Sequence, residues 1–381
     1  MNIKSLLLGS AAALVAVSGA RAADAVVVAE PEPAEYVRIC DVYGAGYFYI
    51  PGTETCLRVG GYLRYDAGFG DIGSFDGART NDRLTGKEQS TWTKQARFAL
   101  KTWTGQETEL GTLKTYTETR FNFGNQDTQD GNAHNSWSLN FAWVQLGGLR
   151  IGRDDSAYDT FSGYAGNVIQ DTLVPYGGFN TNLISYTFDA GNGFSALVSL
   201  EQGSGKFSRA GTMAPADINP DWDALIDNNT IDSYVPHIVL GAKYTQGWGG
   251  VSAVAAYNSN YEEWAGKVRL DVNATEQLSL FVMGGYGTDK HIDRNFYKPW
   301  GGNWAVWGGG TFKFNEKAQF NAAVSYDEDK NLGVAANVAY TLVPGFTITP
   351  ELDYVHLGKS NWTGADKKNS WGGIIRFQRD F

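Results

Sequence analysis

The chain has 381 residues, with 47 Gly, 20 Tyr, 20 Phe and 12 Trp beside 3 Met and 2 Cys, a balance that favours strands and turns over helices. Its 41 acidic residues outnumber 31 basic ones, a formal net charge of −10, which argues against nucleic acid because such binding needs a basic face. Mean hydropathy is −0.30, and beyond the first residues no apolar run approaches the ~20 residues of a helical span. Two destinations remain, a secreted globular protein and a transmembrane barrel, since barrel strands alternate lipid-facing and lumen-facing residues and carry little signal on average.

Lys4, the apolar stretch 6–17 and the triplet Ala20, Arg21, Ala22 have the layout of a secretory signal peptide cleaved between Ala22 and Ala23. The stretch is too short for a membrane anchor. Residues 1–22 are therefore read as a leader; losing Lys4 and Arg21 with it moves the net charge from −10 to −12. Residues 23–36, with the run Glu30-Pro31-Glu32-Pro33, read as a short acidic linker. Cys40 and Cys56 are the only cysteines, and an exported chain passes through an oxidising compartment where a disulfide persists. The strand-like 43–50 and the turn Pro51-Gly52 lie between them, so a bridge would staple a hairpin over 37–56. A metal site would need further ligands nearby, and none is present.

From 57 onward the pattern is alternation with period two. Leu57, Val59, Leu63 and Tyr65 share one face while Arg58, Tyr62, Arg64 and Asp66 share the other. The same rhythm recurs in Ala96, Phe98, Leu100 and in Leu332, Val334, Ala336, Val338, Tyr340. Strands are expected near 57–67, 92–104, 109–123, 137–147, 149–153, 182–188, 194–202, 235–245, 250–259, 263–273, 277–288, 303–315, 318–328, 332–343, 346–358 and 370–381. Sixteen such strands predict an all-β, antiparallel transmembrane barrel occupying 57–381.

Connections alternate in length. Short turns are expected at 105–108, 147–148, 189–193, 246–249, 315–317 and 344–345, with long polar loops at 68–91, 124–136, 154–181, 203–234, 289–302 and 359–369. Only the loops near Asn260 and Asp329 are short. Short periplasmic turns and long external loops are the rhythm of an up-and-down barrel of even strand number. Outward Tyr65, Tyr244, Tyr257, Tyr286, Tyr326, Tyr340 and Tyr354 suit an interfacial girdle, where the ring is apolar and its hydroxyl stays hydrated.

The inward phases of the first three strands carry Arg58, Arg64, Arg97, Lys101, Lys114 and Arg120, which closure would gather on one wall. Loop 154–181 carries Asp154, Asp155, Asp159 and Asp171 and is the candidate to fold inward and narrow the lumen. Guanidinium and carboxylate rows facing across a narrow channel would set up a transverse field acting on small polar solutes. On this reading, neutralising Asp155, Asp159 and Asp171 shifts ion preference away from cations. An enzymatic barrel would need a nucleophile beside a base; His134, His237, His291 and His356 are dispersed and no G-x-S-x-G motif accompanies them. The glycine runs 247–250 and 308–310 lack the helix and Lys-Ser/Thr pair of a phosphate loop. No cofactor or metal is expected.

The segment VRICDVYGAGYFYIPGTETCLRVGG at 37–61 and the ending WGGIIRFQRDF resemble alphaproteobacterial general porins of the rhizobial and brucella type. ELGTLKTYTETRFNF at 109–123, NWAVWGGG at 303–310 and VPGFTITPEL at 343–352 add to the likeness. The resemblance implies a homotrimer of sixteen-stranded barrels, with the third external loop, here 154–181, folded into the pore. It also implies passive diffusion of small hydrophilic solutes across the outer membrane and association with lipopolysaccharide. The C-terminal strand, with Phe377 and Phe381 in outward phase, would be read by the barrel-assembly machinery; Arg379 shares that phase and must snorkel at the rim. A sugar-selective channel, or a surface adhesin or receptor working through loops 68–91 and 203–234, are the alternatives.

Overall fold

The structure, a computed structural model, describes residues 38–70, 77–126, 132–204, 230–292, 294, 296–358 and 368–381. The leader, the Ala22–Ala23 cleavage site, the linker and most of loop 203–234 lie outside the described residues.

Among the described residues eighteen strands run in chain order: β1 (Phe48–Tyr49), β2 (Cys56–Gly70), β3 (Gly77–Asn81), β4 (Glu88–Thr108), β5 (Gly111–Gly124), β6 (His134–Leu146), β7 (Leu149–Asp155), β8 (Asn180–Asp189) and β9 (Phe194–Glu201). They continue through β10 (His237–Gln246), β11 (Gly249–Asn258), β12 (Glu263–Asn273), β13 (Leu278–Gly287), β14 (Trp304–Lys313), β15 (Ala318–Asp327), β16 (Leu332–Val343), β17 (Phe346–His356) and β18 (Asn369–Asp380). Setting aside β1 and β3, each strand pairs antiparallel with the next, and β18 pairs with β2 to close a sixteen-stranded barrel. Closure leaves no sheet edge to solvate in hydrocarbon, which is why the ring must be complete. It is sealed at Phe381, whose N–H donates to the Gly61 carbonyl (3.1 Å) and whose carbonyl accepts from the Gly61 N–H (3.0 Å).

The expected strands all form, with shifted ends. The turn expected at 105–108 is strand: β4 runs on to Thr108, and the chain reverses at Glu109 and Leu110 before Gly111, whose φ is +107°. Two hydroxyl pairs, Thr102 with Thr117 and Thr104 with Thr115, each 2.6 Å apart, zip the ladder up to Gly105, and beyond it the Thr112 hydroxyl donates to Glu107 (3.1 Å) across the same pairing. Glycine at 105 serves another purpose, since a Cβ there would collide with the Tyr43 ring. Loop 68–91 is partly strand too, because β3 pairs with the first residues of β4 as an extension above the barrel.

Tyrosine and tryptophan collect at the strand ends. At the long-loop rim Tyr257 meets Trp264 (ring centroids 5.1 Å), Trp304 meets Tyr326 (6.0 Å) and Tyr354 meets Trp371 (4.8 Å). Tyr244 and Tyr340 lie toward the short-turn ends of β10 and β16, whereas Tyr65 sits inside β2. Arg379, outward in β18, hydrogen-bonds through a guanidinium nitrogen to the Pro344 carbonyl (2.9 Å) in the neighbouring turn. Its charge thus stays at the rim, where a cation costs little.

A candidate pore and its constriction

The connection from β7 to β8, residues 156–179, turns into the barrel and lies along the inner wall of β10–β17. It starts with a single helical turn, α1 (Ala157–Thr160), capped by Ser156, whose Oγ accepts from the Tyr158 N–H (3.1 Å). Glu201, inward at the end of β9 and buried, holds that start: it accepts from the Ala157 N–H (2.8 Å), the Ser156 hydroxyl (2.7 Å) and the Tyr297 hydroxyl (3.1 Å). Accepting backbone N–H groups at a helix start suits a carboxylate.

Further along, Asp159 forms an ion pair with Lys267 of β12, both wholly buried, and Lys267 also donates to the Tyr176 carbonyl (3.0 Å). The Lys267 ammonium lies 4.1 Å from the Tyr158 ring centroid, so aromatic faces complete its shell. Arg269 donates to the Tyr164 carbonyl (2.5 Å), and Trp307 to the Val174 carbonyl (2.7 Å). Glu351 of β17 accepts from the backbone N–H groups of Ile169 (2.5 Å) and Gln170 (2.7 Å). Between these anchors Ala165, Val168, Leu173, Val174 and Tyr176 are buried against Phe281, Met283, Trp307, Ala335 and Val355. The apolar core of the molecule is thus the seam between loop and wall. Loop 289–302 also folds in, burying Phe296, Tyr297, Lys298 and Trp300.

The opposite wall keeps its cations partly exposed and buries the carboxylates between them. Arg64 donates to the Gln378 amide oxygen (2.8 Å) and Arg97 to that of Asn122 (2.7 Å). Glu118 is flanked by Arg120 (2.6 Å) and Lys101 (3.4 Å) and accepts from the Tyr116 hydroxyl (2.7 Å). Arg376 of β18 pairs with Asp66 (2.8 Å). Closure therefore brings Arg64, Arg97, Lys101 and Arg120 onto one patch, as their shared phase requires. Arg58 lies lower, at the short-turn end, with its guanidinium 4.4 Å from the Trp103 ring centroid.

The loop carboxylates behave differently from two facing rows. Asp154 pairs with Arg150 (2.5 Å), and Asp155 accepts from Tyr164 (2.8 Å) and Asn180 (2.5 Å). With Asp159 enclosed by Lys267, these three fix the loop instead of facing water. Asp171 alone among them is partly solvent-exposed. Its carboxyl is pushed up to about 7, chiefly by desolvation, with Glu351 and Asp159 adding to the rise and a hydrogen bond from Tyr176 (2.5 Å) opposing it. Loop packing is thus most stable with Asp171 protonated and weakens as pH rises from the ordinary carboxylate range through about 7. As pH rises through about 7, the Asp171 carboxyl adds a negative charge at the lumen surface of the loop. Reversal potentials in a salt gradient should move toward cation preference as pH rises through about 7, and Asp171→Asn should abolish that movement; a pH response unchanged in the variant would contradict this.

Nothing local to Lys267, Arg269, Glu201, Glu351 or Trp307 in the chain pairs them with the loop, so the sequence alone does not single them out as its anchors. The tightest of them, Lys267 with Asp159, is separated by 108 positions.

A closed barrel with a long loop turned inward and a charged lumen is the architecture of a diffusion channel, and residues 24–374 match the family described as the porin subfamily. The chain belongs to that family. Porin Omp2b of Brucella canis is 52% identical to it over 386 aligned positions, covering 100% of each chain, and Porin Omp2b of Brucella abortus (strain 2308) is equally similar over the same extent. Among solved structures, the outer membrane channel DcaP of Acinetobacter baumannii aligns with a TM-score of 0.62 at 14% identity, over 87% of this chain and 99% of that one. The anion-selective porin from Comamonas acidovorans gives 0.53 at 12% identity, over 86% and 100%. At such identities the structural likeness speaks for the fold alone. This porin is a Gram-negative outer-membrane β-barrel and a diffusion channel, a member of a family of channels, not of enzymes. The Cys40–Cys56 disulfide closes its N-terminal hairpin.

Proposed function

We propose that this porin passes small hydrophilic solutes and ions without catalysis, through a constriction between loop 154–181 and the basic wall of Arg64, Arg97, Lys101 and Arg120. The observation that carries this reading is the asymmetry of the lumen. Strands β10–β17 bury most of their inward side chains under the loop, while on β2, β4 and β5 the basic side chains Arg64, Arg97, Lys101 and Arg120 stay partly exposed to water. Cleavage after Ala22 would deliver the chain for export, and Phe377 and Phe381 would present the assembly signal to the barrel-assembly machinery. The porin kinship supports a homotrimer set in lipopolysaccharide as part of this reading. In planar bilayers the purified protein should give large, nearly ohmic steps that sugars do not block. Absence of conductance would refute the channel and favour the surface adhesin or receptor.

One observation favours a sugar-selective channel as a second reading. Trp103, Tyr116 and Trp143 face the lumen on adjacent strands, with centroid separations of 5.4 and 5.6 Å, a platform on which sugar rings can stack. Saturable block of the current by oligosaccharides would support it over general diffusion.

A further inference from the structure

We propose that the disulfide-bonded hairpin 38–56 forms a second constriction, at the periplasmic mouth, lined by Tyr43, Tyr47 and Arg58; this rests on the channel reading above. Cys56 pairs opposite Gly105, Arg58 opposite Trp103, Tyr62 opposite Ala99 and Arg64 opposite Arg97, so Cys56 lies in the same inward phase as the lumen cations. A disulfide from an inward Cys56 places Cys40 inside the wall as well, and both are almost fully buried, at 2% and 1% exposure.

The rest of the hairpin follows the same side. β1 pairs with Cys56 and Leu57 of β2, on the edge that β18 leaves free, because the β18 ladder ends at Asp380 opposite Tyr62. From that edge the chain 38–49 folds back on itself, with the Cys40 N–H donating to the Tyr47 carbonyl (3.0 Å) and the Tyr49 N–H to the Arg38 carbonyl (2.9 Å). Its tip then crosses β2 to reach β4. The Tyr43 ring lies on Gly105, where a Cβ would strike it, and the Tyr43 hydroxyl donates to Glu107 (3.0 Å). Gly46 lies beside the Arg58 side chain, and the rings of Tyr43 and Tyr47 are 5.9 Å apart. The hairpin therefore spans the inner faces of two neighbouring strands below the basic wall and sets the paired rings of Tyr43 and Tyr47 there, with Tyr43 over Gly105. Ions leaving the constriction meet this ledge, and its Arg58 cation, before the periplasm.

Few contacts hold the ledge. Its ladder with β2 is two residues long, and a short hairpin by itself is marginal in water. The disulfide makes its position permanent by tethering Cys40 to the wall. The absence of a side chain at 105 leaves the space that the Tyr43 ring occupies.

The test uses the full-length protein purified from outer membranes, as wild type, as C40S/C56S and as Y43A/Y47A, the last retaining the disulfide. Single-channel conductance should rise by about 1.5-fold in both variants as the lined mouth widens. Neutral polyethylene glycols added on the periplasmic side should enter at a larger size than in wild type, with the extracellular size limit unchanged. Unaltered conductance and an unaltered periplasmic size limit in both variants would overturn the inference. A wild type without conductance would instead overturn the channel reading on which it rests.

Discussion

Replacing Lys267 with Met should release loop 156–179 from the wall while leaving the barrel intact. Lys267 and Asp159 are both wholly buried, and removing one partner of such a pair strands the other charge in low dielectric, at a cost of about 3–5 kcal/mol. The molecule can relieve that cost in two ways. Unfolding the barrel would break a ladder of sixteen antiparallel pairings, whereas lifting the loop breaks its polar anchors, among them Glu201, Arg269, Trp307 and Glu351, and the apolar seam beneath it, and leaves every strand pairing in place. The loop should therefore yield first, so that K267M channels show noisy currents stepping above the wild-type level. Added protease should cut between 156 and 179 in barrels that otherwise resist it. The double variant D159N/K267M leaves no buried charge, and it should recover much of the quiet current, because a neutral pair of similar volume is often as stable as the ion pair it replaces. Quiet, wild-type currents in K267M would show that the pair does not hold the loop.

The second large effect concerns ion preference. Glu118 sits between Arg120 and Lys101, and Asp66 pairs with Arg376, so these cations are partly neutralised in place. Arg64 and Arg97 hydrogen-bond to neutral amides and project most of their field into the water path. An ion passing ~8 Å away feels about 0.5 kcal/mol from each in water, so R64Q/R97Q should lower anion preference about five-fold at low salt. Removing a self-compensating pair, as in E118Q/R120Q, should change it little. Since the Debye length falls from about 10 Å at 0.1 M to about 3 Å at 1 M, the difference should shrink at high salt. Reversal potentials across a potassium chloride gradient check both points; equal shifts in the two double variants would mean that pairing does not decide which cations the ion senses. Neutralising Asp155 and Asp159, by contrast, acts on loop anchoring first, because neither carboxylate faces the water path.

How far the sequence carries can be seen in single residues. The period of two places Arg64, Arg97 and Arg120 on the inward face before any pairing is known, since side chains alternate strictly along a strand. Closure then follows from the strand count and the outward phase of Phe377 and Phe381 in the last strand. Lys267 marks where such reading stops. Its inward phase is legible, but its partner Asp159 lies 108 positions away in a loop without periodicity, and no local rule connects them. The turn expected at 105–108 failed for a related reason: Gly105 reads as a turn residue, but its lack of a side chain makes room for Tyr43, 62 positions earlier in the chain.

The sequence by itself determined an exported, closed antiparallel barrel with a cation-bearing inner face, because alternation, turn chemistry and rim aromatics are properties of neighbouring residues. Only the tertiary structure decided which charges meet water. Asp159 is silenced by Lys267, Asp155 by Tyr164 and Asn180, and Glu118 by Arg120 and Lys101, while Arg64, Arg97 and Asp171 stay in contact with the lumen. A charge acts on a passing ion only if no nearer countercharge cancels it and no desolvation removes it, and both conditions depend on strands and loops far apart in the chain being brought together.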